Sequence, residues 1–123
     1  MAKRADAARA DAKRADAASR VLGELFEVIE SRRGADPRAS YVAKLHSEGR
    51  AKIAQKLGEE ALETVLAAVQ ERRDEVVCES ADLLFHLLVL WADAGIAPDE
   101  VFAELERRKG RSGLDEKKSR KRL

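Results

Sequence analysis

Residues 79–91 read ESADLLFHLLVLW. At about 100° per residue, Leu83, Leu84, Leu87, Leu88, Leu90 and Trp91 spread over more than half the circumference of a helix, so the segment needs cover on several sides. A chain of 123 residues has a single modest core to offer. The segment therefore predicts a helix that is partly core and partly subunit contact. A homo-oligomer follows, most simply a homodimer with this helix and the one before it in the interface.

The rest of the chain reads as helix too. Alanine, leucine, glutamate and arginine dominate, only 4% of residues are aromatic, and no segment alternates as a strand would. Ser19 predicts the cap of a first helix that carries Val21, Leu22, Leu25, Phe26 and Ile29 to about Arg33. Gly34-Ala35-Asp36-Pro37 is turn chemistry, and Ser40 predicts the cap of a short helix stopped by Gly49. A third helix is expected from about Arg50 to Arg72, a fourth from Asp74 to just before Gly95, and a fifth from Pro98, closed by Gly110. The chain is thus expected to be an all-α bundle of about five helices over residues 20–110, with a charged tail at 111–123. Residues 1–19 repeat RADAA, RADAK and RADAA. Five residues turn a helix by about 500°, so the repeat lays down no apolar stripe and is expected to be a solvated, frayed extension.

Net charge is +1, which argues against nucleic acid as a partner. No apolar run approaches the ~20 residues of a membrane span, and no signal-peptide core follows the start. The single cysteine, Cys78, excludes an internal disulfide and suits a reducing cytoplasm; it reads as a small buried hydrophobe.

Acidic residues supply the chemistry. Glu75, Glu79, Asp82, His86 and Asp93 step by three, four and seven along one face of the fourth helix. On the third, Lys52, Lys56, Glu59, Glu60 and Glu63 share a face opposite Leu57, Ala61, Leu62, Val65 and Val69. Antiparallel packing would bring Glu60, Glu63, Glu79 and Asp82 to one locus. Between Arg73 and Arg107 there are nine acids and no lysine or arginine. Two like charges 4 Å apart cost about 1 kcal/mol in water and about 4 kcal/mol at an effective dielectric of 20. Such a cluster raises its pKa values or recruits a cation. With oxygen ligands and no Cys/His set, the expected ion is Mg²⁺, with Mn²⁺ as its substitute. Carboxylate-held Mg²⁺ commonly serves phosphates, and Lys52 and Lys56 are placed to meet a phosphate chain. Glu59, Glu60 and Glu63 alone would pass for a solvated face; Glu79 and Asp82 sit on a helix that reads as buried nearly all round. His86 reads as a hydrogen-bonded interior residue.

GEEALETV (58–65) followed by ESADLLFHLLVL (79–90) resembles the EExxE…ExxD signature of the all-α, MazG-like nucleotide pyrophosphohydrolases. The flanks SRRGADPRASYVAKL (31–45), KIAQKLGEEALETVLAA (52–68) and RKGRSGLDEKKSRK (108–121) narrow the resemblance to the phosphoribosyl-ATP pyrophosphohydrolase family, over about residues 20–121. The resemblance implies metal ligation by Glu60, Glu63, Glu79 and Asp82, with Glu59 orienting or deprotonating the attacking water. It implies hydrolysis of the α–β anhydride of phosphoribosyl-ATP, the second step of histidine biosynthesis, in a free-standing form without a preceding cyclohydrolase. Arg33, Lys44, Lys52, Lys56 and Arg111 are the candidates for the substrate phosphates. The competing expectations are a general nucleoside triphosphate pyrophosphohydrolase of the MazG-like type and a non-catalytic helical dimerisation module.

Overall fold

The computed structural model describes residues 2–120, which form six α-helices and no strand. In chain order these are α1 (Ala2–Arg32), α2 (Tyr41–Glu48), α3 (Arg50–Val69), α4 (Arg73–Ala94), α5 (Pro98–Arg108) and α6 (Gly113–Ser119). The expected all-α class holds.

The α3–α4 hairpin is the spine of the fold and carries the most extensive contact between elements. It is antiparallel: at the N-terminus of α3, Arg50 pairs with the Asp93 carboxylate and donates to the Asp93 carbonyl at 3.1 Å, near the end of α4. At the other end three residues reverse the chain. The third helix was expected to reach Arg72, but α3 stops at Val69. Glu71 N–H bonds to Ala68 O and Arg72 N–H to Ala67 O, a Schellman closure in which Glu71 takes φ 57°. A non-glycine residue there costs of order 1 kcal/mol, which the hairpin packing offsets. The C-terminus of α4 uses the same closure with Gly95 at φ 72°, the position where the sequence predicts the stop.

Helices α1 and α2 pack against this hairpin. Ile29, Val42, Leu45, Ile53, Leu88, Val89 and Ala92 form the buried centre, with Leu22, Phe26, Phe85 and Trp91 against it. Ser40 caps α2 as expected, accepting from Ala43 N–H. Pro98 opens α5, and Glu100 folds back to accept the Ala97 N–H at 2.7 Å.

One boundary is corrected at the N-terminus: the first helix does not start near Ser19, because α1 runs unbroken from Ala2. Its packed stretch around Leu22–Ile29 supplies the costly nucleus, after which alanine-rich turns extend it cheaply. The charged tail beyond Gly110 carries a further helix. Ser112 caps α6, and Glu116 is buried with Arg107 at 2.6 Å, Arg111 at 3.5 Å, and Arg108 and Arg120 at 3.8 Å. One acid neutralised by several guanidiniums lets so basic a segment fold back on α5. Residues 121–123 of the expected tail lie outside the described residues.

Candidate metal centre

The N-terminal half of α4 faces the middle of α3. Oxygens of Glu60, Glu79 and Asp82 lie within 4.8 Å of one another. Glu60 follows Ile53 by seven residues and precedes Ala67 by seven, so it shares the inward face of α3 with these two buried residues. It points at α4 because the helix period puts it there. Glu60 Oε2 and Glu79 Oε2 are shut off from solvent and have no hydrogen-bond partner. Carboxylate oxygens kept from water and left unmet are unfavourable. A hard divalent cation satisfies them directly, so the donor set fits Mg²⁺ or Mn²⁺.

Glu63 joins this group through Glu79. Its carboxylate is the foremost influence raising the Glu79 pKa, ahead of burial and of Glu60, and together they push it up to about 7. Glu59, one residue from Glu60, lies on a different face. It is bound by Gln55 Nε2 at 2.9 Å and Lys56 Nζ at 3.2 Å, and these bonds hold it below the usual glutamate range. Glu59 therefore stays ionised beside the cluster without belonging to it.

The candidate cations divide. Lys56 is partly buried and sits against Glu59, and Lys52 is near enough to lower the Glu59 pKa. Lys44 is exposed, one turn beyond Tyr41 on α2. Arg33 pairs with Glu30 at 3.6 Å and borders a cavity of about 270 Å³ with Phe26, Ala92 and Ile96. Ala92 is ten residues along α4 from Asp82, about 15 Å at 1.5 Å per residue. That cavity is lined mainly by apolar groups and lies at the other end of α4 from the carboxylates. Arg111 is engaged by Glu116. Within one protomer, then, Lys52 and Lys56 neighbour the carboxylates, while Arg33 and Arg111 hold acids elsewhere.

A sequence model of the phosphoribosyl-ATP pyrophosphohydrolase family matches residues 22–109. The chain belongs to that family. It is 65% identical over 102 residues to the phosphoribosyl-ATP pyrophosphatase of Paramagnetospirillum magneticum, covering 83% of this chain and 94% of the relative. It is 58% identical over 101 residues to the enzyme of the same name from Rhodospirillum rubrum, covering 82% and 86%. The corresponding figures for the Parvibaculum lavamentivorans enzyme are 60% over 99 residues, 80% and 91%. Family membership makes the chain a hydrolase of the histidine-biosynthesis step and decides for the narrower of the two enzymatic expectations. The matched residues contain the whole α3–α4 hairpin, so the carboxylate group lies inside the family's shared fold.

His86 is the interior hydrogen-bonded residue the sequence suggested: buried, with Nδ1 2.8 Å from Asp82 O and Nε2 2.9 Å from the Tyr41 hydroxyl. Tyr41 itself had gone unnoticed. It is the chain's single tyrosine, at the first position of α2 where no periodicity singles it out. Its phenol is raised by burial; Lys56 opposes that shift, and Glu60, Glu48 and Glu59 add to it. Cys78 corrects an expectation: it is exposed, on the part of α4 that leaves the core.

Proposed function

We propose that Glu60, Glu63, Glu79 and Asp82 hold a divalent cation, Mg²⁺ with Mn²⁺ as substitute, at which the α–β anhydride of phosphoribosyl-ATP is hydrolysed to phosphoribosyl-AMP and pyrophosphate. The observation that carries this reading is that Glu60 and Glu79, each with a shielded, unpartnered Oε2, offer carboxylate oxygens within 4.8 Å of one another and of Asp82. When bound, the cation supplies Lewis-acid chemistry, offsetting phosphate charge and acidifying water. The chain's own residues do the rest. Glu59, kept ionised by Gln55 and Lys56, orients the attacking water and takes its proton. Lys52 and Lys56 lie one to two turns before the glutamates and draw the phosphate chain alongside them, with Lys44 at the outer edge. Arg33 and Arg111 are assigned to their intramolecular partners Glu30 and Glu116.

The active form is proposed to be a homodimer in the cytoplasm. Leu62, Val65, Leu66 and Val69 on α3 and Val77 and Leu84 on α4 are 46–75% exposed in the protomer. Apolar residues arrayed along a helical hairpin to that degree favour burial against a second copy.

Pyrophosphate release from phosphoribosyl-ATP, with and without Mg²⁺, tests the reading, with ordinary nucleoside triphosphates in parallel. Turnover is expected to require the cation, to favour phosphoribosyl-ATP, and to fall by roughly 100-fold or more in Glu60→Gln and Asp82→Asn. Variants that keep full activity while losing stability would rule the assignment out.

A further inference from the structure

The hydrogen-bond polarity at His86 determines what Tyr41 can offer a substrate. His86 Nδ1 lies 2.8 Å from the backbone carbonyl of Asp82. A carbonyl oxygen only accepts, so Nδ1 carries the proton. In the neutral imidazole this leaves Nε2 as an acceptor. The Tyr41 hydroxyl, 2.9 Å from Nε2, is therefore the donor, and its single proton is committed inward. What remains on its oxygen is lone-pair capacity.

Two hydrogen bonds, through His86, connect that oxygen to the backbone of Asp82, a member of the carboxylate group. Tyr41 is 46% exposed whereas His86 is 5% exposed, so the pair runs from interior to surface. The Tyr41 ring packs on Phe85, with centroids 6.2 Å apart, and edge-on to His86 at 5.7 Å. These contacts fix the ring, and a ring so fixed loses little freedom on binding. Lys56 and Glu60, the candidate phosphate contact and the candidate ligand, are among the charges that act on its phenol, together with Glu48 and Glu59.

We infer that Tyr41 is a specificity-determining residue that reads the nucleotide as a hydrogen-bond acceptor, with His86 as the positioning residue that fixes this polarity. An oxygen offering lone pairs repels phosphate oxygens and attracts a sugar hydroxyl or an N–H of the base. Phosphates go to the lysines and the cation; the nucleoside end goes to Tyr41. This rests on the carboxylate-site reading. Failure of that reading appears as Glu60→Gln and Asp82→Asn enzymes that keep full activity, and failure of the present one as an active Tyr41→Phe enzyme with unchanged KM.

The test is steady-state kinetics of the full chain and its Tyr41→Phe variant with Mg²⁺. Substrates are phosphoribosyl-ATP and analogues each lacking one donor: the 2′-hydroxyl, the 3′-hydroxyl or an N–H of the base. Tyr41→Phe should raise KM by roughly 3- to 10-fold, the worth of one neutral hydrogen bond, while kcat stays within about twofold. For one analogue the wild-type penalty should vanish in the variant, and inhibition by inorganic pyrophosphate should be unchanged. The inference is overturned by an unchanged KM, by identical analogue penalties in both enzymes, or by weakened pyrophosphate inhibition. A lowered melting temperature with a matching loss of kcat would mark Tyr41 as merely structural and overturn it equally.

Discussion

The two halves of α4 are made of one continuous helix and obey opposite rules. From His86 to Ala92 the helix is core: His86, Leu88, Val89 and Ala92 are buried, and the His86 imidazole has both nitrogens bonded. From Arg73 to Asp82 no residue is buried, Val77 and Cys78 are exposed, and Glu79 crowds against Glu63 and Glu60. One half is complete within the protomer. The other carries unmet oxygens inward and apolar side chains outward, the reverse of a stable monomer's preference. The contrast teaches where function resides: the finished half anchors, and the unfinished half is where the proposed cation and the proposed second copy would bind.

The comparison breaks most visibly if the halves are coupled. Leu88→Ala removes a fully buried side chain and should cost about 3 kcal/mol by denaturant unfolding. Calorimetric titration should find Mg²⁺ affinity of the folded variant within about twofold of wild type if the anchoring half only anchors. A large affinity loss would show that the core sets the carboxylate geometry.

The next effect follows from Glu79, whose carboxyl moves from 4.5 to about 7 on folding because Glu63, burial and Glu60 disfavour its charge. A raised acid binds its proton more tightly folded than unfolded. The cation-free protein should therefore hold this contribution in full below pH 4.5 and lose it progressively as pH rises towards about 7. Melting temperatures across that window check the sign, and saturating Mg²⁺ should reverse the trend because it binds the ionised form. Stability that climbs with pH in the absence of cation would mean the crowding is not real.

The smallest effect sits at the joint between the halves' partner helix and α4. Glu71→Gly relieves a left-handed glutamate and should stabilise by about 1 kcal/mol or less, read as a small rise in melting temperature with unchanged kinetics. Altered turnover would mean that the hairpin turn tunes the site.

Helical periodicity and charge made much of this legible. The i, i+3 pairs Glu60/Glu63 and Glu79/Asp82 could be placed on facing helices from spacing alone, and Ser40 and Gly95 announced their helix ends by chemistry that acts within four residues. What escaped depends on partners that helical spacing does not select. Tyr41 gains its meaning from His86, forty-five residues away. Glu116 is buried among Arg107 and Arg108 of α5 and Arg111 and Arg120, which flank α6. Glu71 looked like a helix residue because its strain is imposed by the packing of the hairpin. At residues 2–19 the repeat lacks an apolar face, and the packed helix it joins supplies the nucleus.

The most direct measurement is the melting temperature of wild type and Glu79→Gln across a Mg²⁺ titration at neutral pH. The wild type should start lower and climb with Mg²⁺, while the variant, relieved of repulsion, should start level or higher and stay flat. Parallel climbs, or a variant that begins well below the wild type, would contradict a cation-completed carboxylate centre.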